Sequence, residues 1–166
     1  MPELDLLSKG MTTCQGCPME LIARAALDTL GPRTITMTPP SCSAILTGIP
    51  SVQTVLMSLP AFASGVSEAL KIRGMDDVTV MGFAGDGGTF DIGLQSLSGA
   101  IERGHKAVFI CYNNEAYMNT GNQRSSATTL GASTKTTPPG KKESAKNIDF
   151  MLLHTPLVYQ ATASVG

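Results

Sequence analysis

At 166 residues the chain is long enough to bury a core as one domain, and with 42% hydrophobic residues, 17 Gly and 10 Pro it is a folded protein rather than a disordered one. Only 15% of residues are charged, against about 25% in ordinary chains, so part of the surface is expected to lie under partner subunits. A net charge of −1, from 12 Lys+Arg and 13 Asp+Glu, excludes the basic footprint of a nucleic-acid binder, and no apolar run approaches the roughly 20 residues of a membrane span. The polar start MPELDLLSKG lacks a signal-peptide pattern, which points to the cytoplasm, where the four Cys are metal ligands or plain thiols rather than disulfides.

A short polar arm leads to Cys14-Gln15-Gly16-Cys17, followed at once by Pro18. Proline is pre-organised for a first helical position, and Leu21, Ile22, Ala25, Ala26 and Leu30 recur with helical spacing up to a Gly31-Pro32 stop. Residues 33–37 alternate as a short strand, and Pro39-Pro40-Ser41-Cys42 makes a rigid turn. Residues 43–58 carry no clear pattern. A second helix is predicted over 61–73, with Phe62, Val66, Ala69 and Leu70 on one face and Gly74 as its stop.

Residues 78–84 form a continuous apolar run, as in a parallel strand covered on both faces, and end in Gly85-Asp86-Gly87-Gly88. The next helix places Leu94, Leu97 and Ile101 at spacings of three and four and ends at Gly104. Residues 107–112 make a second buried-type strand, closed by Asn113-Asn114. Strand, glycine turn, helix and strand form one βαβ unit with a right-handed crossover. From Asn119 to Gly140 the chain is rich in Thr, Ser and Gly, long for a loop without structure of its own, and so either functional, mobile or partly regular. One more helix is predicted over 142–153 and one more strand over 157–161. The chain then ends at Gly166 without a closing helix, as an interrupted domain does. There is no internal repeat. The pattern is that of an α/β fold, a mostly parallel sheet with helices on both faces.

Three features carry chemistry. First, Gly85-Asp86-Gly87 closes one strand and Asn113-Asn114 the next, and open α/β sheets bind ligands at such strand ends. Glycines let the backbone close on a diphosphate, and the following helix offers its N-terminal N–H groups to the anion. Asp86 and the Asn114 amide oxygen are hard donors suited to Mg2+ or Ca2+, with a backbone carbonyl near Ala116 as a third oxygen. Either half alone is just a tight turn or a strand end; together across one βαβ unit they specify a site.

Second, Cys14-x-x-Cys17 is joined by Cys42 on the Pro-Pro-Ser turn. Zinc and an iron–sulfur cubane both want four ligands, so three thiols imply a site completed from outside this sequence. Cys111, inside a strand, reads as a buried thiol acting as a small hydrophobe. His105 and His154 have no partner at ligand spacing and read as solvated or core histidines. Third, Glu115-Ala116-Tyr117-Met118-Asn119-Thr120-Gly121-Asn122-Gln123 lies just past the metal donors, where cofactor or substrate would sit; its alternative is a polar surface loop. The nine Met occupy core-like positions as gap fillers.

With these residues in place, GDGGTFDIGLQSLSGAIERGH over 85–105 and YNNEAYMNTGNQ over 112–123 strongly resemble the thiamine-diphosphate-binding β subunit of 2-oxoacid:ferredoxin oxidoreductases, of which pyruvate:ferredoxin oxidoreductase is the best-known member. The early Cys-x-x-Cys with a third Cys on the turn is similar to that family's proximal 4Fe–4S ligands. The resemblance runs from about Thr12 to Gly166. It implies a single thiamine-diphosphate-binding domain over 1–166, with an iron–sulfur ligand segment over 1–45 and a diphosphate- and Mg-binding βαβ core over 75–125. It implies Mg2+ on Asp86, Asn114 and the Ala116 carbonyl, and a 4Fe–4S cluster on Cys14, Cys17 and Cys42. Cys42, Gly85, Asp86, Gly87, Gly88 and Asn114, Glu115, Ala116, Tyr117, Met118 and Asn119 would line the cofactor. The Asn119 amide would face the substrate as a catalytic hydrogen-bond donor.

The implied activity is oxidative decarboxylation of a 2-oxoacid, pyruvate or a related acid, with CO2 leaving, electrons passing singly through the cluster to ferredoxin or another acceptor, and transfer to coenzyme A releasing acyl-CoA. Two departures qualify it. The family's fourth cluster cysteine lies beyond residue 166, so the chain looks truncated. Residues 51–60 lack the His and aromatic residues of many members, which leaves pyruvate, branched-chain and phenylglyoxylate-type acids open. No acid here matches the glutamate that activates the aminopyrimidine; the resemblance assigns it to a partner α subunit, with γ and δ subunits completing the complex. The competing readings are a non-redox thiamine-diphosphate lyase or synthase, which has no use for the three thiols, and a zinc-binding α/β module, which has none for Asp86 and Asn114.

Overall fold

The computed structural model describes residues 5–46 and 48–164. Part of the polar arm, Thr47 and the last two residues, over which the sequence reading also ran, lie outside the described residues. Four parallel strands, β1 (Thr34–Thr38), β2 (Ser51–Gln53), β3 (Thr79–Gly85) and β4 (Val108–Tyr112), form a sheet in the order β2-β1-β3-β4. Helices α1 (Met19–Leu30), α2 (Leu59–Ile72) and α3 (Leu94–Glu102) precede or connect them. β3 and β4 are parallel neighbours joined through α3, so the βαβ unit is formed as the residues predict. A small antiparallel pair, β5 (Ala116–Tyr117) and β6 (Gln123–Arg124), and a short α4 (Ile148–Leu152) follow. No helix among the described residues is long and apolar enough to cross a membrane.

β3 is the centre of the core because alternate residues face opposite layers. Met81 and Phe83 pack with Met19, Ala23 and Leu27 of α1 and with Tyr112, whereas Val80 and Ala84 pack with Met37, Leu59 and Ala63 on the α2 side. Phe83 is fully buried, and burial on that scale contributes about 2–3 kcal/mol. α3 packs on α2.

The helices form where expected, and Ile22, Ala26 and Leu30 of α1 and Val66 and Leu70 of α2 pack against the core as their spacing implies, but other members of the expected faces do not. In α1 the buried residues are Met19, Ala23 and Leu27, while Leu21 is 60% exposed. In α2, Leu59, Ala63 and Ser67 are buried, while Phe62 is 47% exposed and Ala69 lies outside the core. The fully buried Ala23 and Ala63 lie in the core beside Met19, Leu27 and Leu59, while Leu21 and Phe62 face outward, which a count of apolar residues alone does not distinguish. Strand β4 also differs from a buried-type strand: among the described residues it pairs only with β3, and Val108 is exposed. Residues 43–58 hold a 3-10 turn (Cys42–Ile45) and β2. The late helix shrinks to Ile148–Leu152 and the late strand over 157–161 does not form. Phe150, Leu153, Val158 and Tyr159 there are exposed, so neither segment has an apolar surface to fold against.

The junction between β3 and α3 is a π-helical turn, Gly87–Asp91, rather than the start of the α-helix. At Gly93 a Cβ would be driven into the Gly88 carbonyl oxygen, a backbone atom that cannot step aside. Gly93→Ala should therefore lower stability by about 3 kcal/mol, read as a shifted urea midpoint of the full-length protein. Gly65→Ala, exposed and unobstructed in α2, should raise it by about 0.5–1 kcal/mol.

Candidate functional site

The carboxyl ends of β3 and β4 bring Asp86 and Asn114 together. Asp86 is fully buried. Its Oδ2 accepts from the Ser125 hydroxyl and its Oδ1 from the Asn114 N–H at 3.3 Å. Burial raises its carboxyl pKa, and those two hydrogen bonds act in the opposite direction. The Asn114 carboxamide oxygen lies 2.8 Å from the Ala116 carbonyl oxygen and 2.9 Å from Asp86 Oδ1; a half-turn of the amide makes both contacts hydrogen bonds from Nδ2. With the oxygen in place, a carboxylate, a carboxamide and a peptide carbonyl converge. For Mg–O bonds of ~2.0–2.1 Å, adjacent octahedral ligands stand about 2.9 Å apart. The donor set fits a small divalent cation in chemistry, and the two separations from the Asn114 amide match that spacing.

Above this trio runs a groove. Cys42, Gly85, Gly87, Gly88, Asn114, Ala116, Tyr117, Met118 and Asn119 all line it, joined by Pro40, Ser41, Leu56, Tyr112 and Thr120. Nine of the residues assigned to the cofactor thus share one surface. Asp86 lies buried beneath it, and Glu115 turns away: its φ of 63° reverses the chain, and its carboxylate accepts from Thr129 Oγ1 at 2.8 Å. The Asn119 side chain is exposed at the groove's rim.

A Cβ at Gly87 would overlap the Tyr117 ring, so the space over this glycine belongs to Tyr117 rather than standing open. The Tyr117 hydroxyl donates to the Gly87 carbonyl at 3.1 Å and lies 3.3 Å from Asp91 Oδ2. Burial, with the Asp91 and Asp86 charges, pushes its pKa up to about 12, so it remains a neutral donor.

The thiols lie on two turns. The Cys17 N–H bonds the Cys14 carbonyl at 3.0 Å just before α1, and Cys42 opens the 3-10 turn. Cys14 is exposed, Cys17 and Cys42 are half-buried, and all are free. Burial pushes the Cys42 thiol up, as do the nearby Cys14 and Cys17, while the Asn119 N–H lowers it. The three are neighbours, but among the described residues no group of three His, Cys, Asp or Glu side chains closes around a metal position. Cys111 is half-buried beside Thr89, and burial raises its pKa to about 11, consistent with an inert thiol. His105 has Nε2 3.9 Å from Glu68 and a buried, unpartnered Nδ1, and His154 is exposed; neither lines the groove.

Two positioning groups went unread in the sequence. Tyr112, at the end of β4, holds the thiol turn: its hydroxyl accepts from the Ser43 N–H at 3.0 Å and bonds Ser41 Oγ at 2.9 Å. Ser125 bonds Asp86 from across 39 residues. The only local signal for it was the Ser-Ser-Ala-Thr pattern of a side-chain-capped turn.

Residues 48–161 match the family described as thiamine pyrophosphate enzyme, C-terminal TPP binding domain. The chain belongs to this family. The match spans the Asp86–Asn114 core and leaves Cys14, Cys17 and Cys42 outside it. Over the chain's full length it is 45% identical to the pyruvate synthase subunit PorB of Methanothermobacter thermautotrophicus, of which it covers 62%. The ketoisovalerate oxidoreductase subunit VorB of Pyrococcus horikoshii is 46% identical over 95% of this chain and 56% of its own. The β subunit of the NADH-dependent phenylglyoxylate dehydrogenase of Aromatoleum evansii is 41% identical over 98% of this chain and 40% of its own. The resemblance read from the motifs is therefore borne out, and the chain spans from 40% to 62% of these curated relatives. A solved structure of the 2-oxoglutarate:ferredoxin oxidoreductase from Magnetococcus marinus superposes with a TM-score of 0.76 over 92% of this chain and 55% of that one, at 23% identity, and shows the same α/β fold.

Proposed function

We propose that this chain is the thiamine-diphosphate-binding part of the β subunit of a CoA-acylating 2-oxoacid oxidoreductase, in which CO2 is lost and electrons leave through a 4Fe–4S cluster to ferredoxin or another acceptor. The observation that carries the reading is the convergence of Asp86, Asn114 and the Ala116 carbonyl at a groove that Cys42 also lines. When bound, thiamine diphosphate supplies a carbanion equivalent for the 2-oxo carbon, and the cluster supplies a one-electron acceptor.

This chain's residues then have distinct tasks. Asp86, Asn114 and the Ala116 carbonyl hold Mg2+, which neutralises the diphosphate. Gly85, Gly88 and the wall from Asn114 to Asn119 shape the cofactor's seat, and Tyr117 braces the turn at Gly87. Cys14, Cys17 and Cys42 ligate the cluster, with a fourth ligand outside these 166 residues. Placing Cys42 on the groove wall keeps the electron acceptor close to the reacting centre. Asn119, on the rim beside Cys42, presents a neutral amide donor to charge developing on the substrate. A partner α subunit brings the acid that activates the aminopyrimidine, and γ and δ subunits complete the complex.

Anaerobically purified full-length complex should contain iron and acid-labile sulfide and reduce a viologen dye only with 2-oxoacid and coenzyme A together. Zinc in place of iron, or decarboxylation without dye reduction, would overturn the reading. Asn119→Ala should cut kcat about a hundredfold while leaving thiamine-diphosphate affinity within about threefold. An equal loss in both would make Asn119 a cofactor contact.

A further inference from the structure

Lys141 is only 2% exposed, and among the described residues its ammonium has no carboxylate at ion-pair distance. Its Nζ donates instead to two carbonyls of one turn, Ser126 at 2.8 Å and Thr128 at 2.6 Å. A buried ammonium held only by peptide oxygens is costly and ties those oxygens down firmly. The backbone of Lys141 is anchored as well, its N–H bonding the Ala132 carbonyl at 3.0 Å and its carbonyl accepting from Gly131 at 2.8 Å.

The turn that Lys141 grips is directional. Ser125 Oγ accepts from the Ala127 N–H at 3.1 Å, so its single proton goes to Asp86 Oδ2. Thr128 Oγ1 accepts from the Ser125 N–H at 2.9 Å, so its proton goes to the Glu115 carbonyl at 2.5 Å. One turn thereby holds both the Asp86 carboxylate and the peptide that leads into Ala116. Those are the charged oxygen and the carbonyl strand of the metal-fitting trio, and neither is positioned by the βαβ unit alone.

We infer that Lys141 and the turn at 125–128 form a positioning unit that sets the Asp86 carboxylate and, through the Glu115 carbonyl one peptide before it, the Ala116 carbonyl at the separation a divalent ion needs. The inference rests on the Mg2+ reading proposed above. Its test is the Mg2+ concentration giving half-maximal thiamine-diphosphate binding to the full-length protein in its complex, followed by calorimetry. Ser125→Ala should raise that midpoint about tenfold, the loss of one hydrogen bond to a charged group, and Lys141→Met, which releases the Ser126 and Thr128 carbonyls, should raise it in the same direction; both should keep near-normal cofactor affinity at saturating Mg2+. Leu27→Ala, a destabilised core variant remote from the turn, should leave the midpoint where it is. An unchanged midpoint in Ser125→Ala overturns the inference whether or not Lys141→Met folds, and so does a loss that saturating Mg2+ does not restore. If Asp86→Ala also leaves the midpoint unchanged, the metal reading falls with it; if Asp86→Ala abolishes binding, only the positioning role falls.

Discussion

Asp86→Ala is expected to abolish Mg2+-dependent binding of thiamine diphosphate, raising the apparent dissociation constant by a hundredfold or more. The carboxylate is the one formal charge in the oxygen trio, and a cation beside a buried anion gains far more than it would in water; even ~3 kcal/mol corresponds to about a hundredfold. Asp86→Asn keeps the shape and removes only the charge, so it should fail nearly as completely. The same charge costs the metal-free protein stability. Burial lifts the Asp86 carboxyl above its ordinary value, so the native state binds the extra proton and stability falls as pH rises through the window between the ordinary and raised values. Asp86→Asn should flatten that slope and leave the metal-free protein as stable as the parent or more so. Cofactor titrations and urea midpoints across pH check both halves, and tight binding retained by Asp86→Asn would remove Asp86 from the metal site.

Cys42→Ala in the full-length complex should strip the cluster's iron, acid-labile sulfide and visible absorption, and with them 2-oxoacid-dependent dye reduction. Thiamine-diphosphate binding should weaken far less, since Cys42 contributes only a wall to the groove. Cys111→Ala is the matching control: its thiol sits beside Thr89 and does not line the groove that Cys42 lines, and iron content should not change. Full iron in Cys42→Ala would return the thiol turn to a purely structural role, held as it is by Tyr112 and Ser41.

Much of this was legible from residues because the signals are local. Pro18 starting α1, Gly31 ending it, the apolar run of β3 and the Gly-Asp-Gly turn each follow from backbone propensity within a few positions. So does the pairing of Asp86 with Asn114, because consecutive parallel strands joined by a helix are usually neighbours, as β3 and β4 are here though β2 and β3 are not. The faces of α1 and α2 were read only in part. Ile22, Ala26, Leu30, Val66 and Leu70 do pack on the core, but Leu21 lies two residues from both Met19 and Ala23, on the opposite side of the helix, and the fully buried Ala23 and Ala63 gave no apolar signal beside larger neighbours. The polar stretch after Asn119 carries no periodicity because its order comes from single side-chain bonds to distant backbone, as at Ser125, Thr128 and Lys141.

The sequence by itself determined the α/β class, the order of strand, glycine turn, helix and strand, and which residues, Asp86, Asn114 and Cys42, were the candidate donors. These rest on propensity and on chemistry that a residue carries wherever it lies. Only the tertiary structure decided that Tyr117 occupies the space over Gly87, that Tyr112 anchors the Cys42 turn, and that the Lys141 ammonium braces the turn holding Asp86. Each of those depends on a side chain meeting backbone 13 or more residues away. Packing settles such contacts, and no local pattern encodes them.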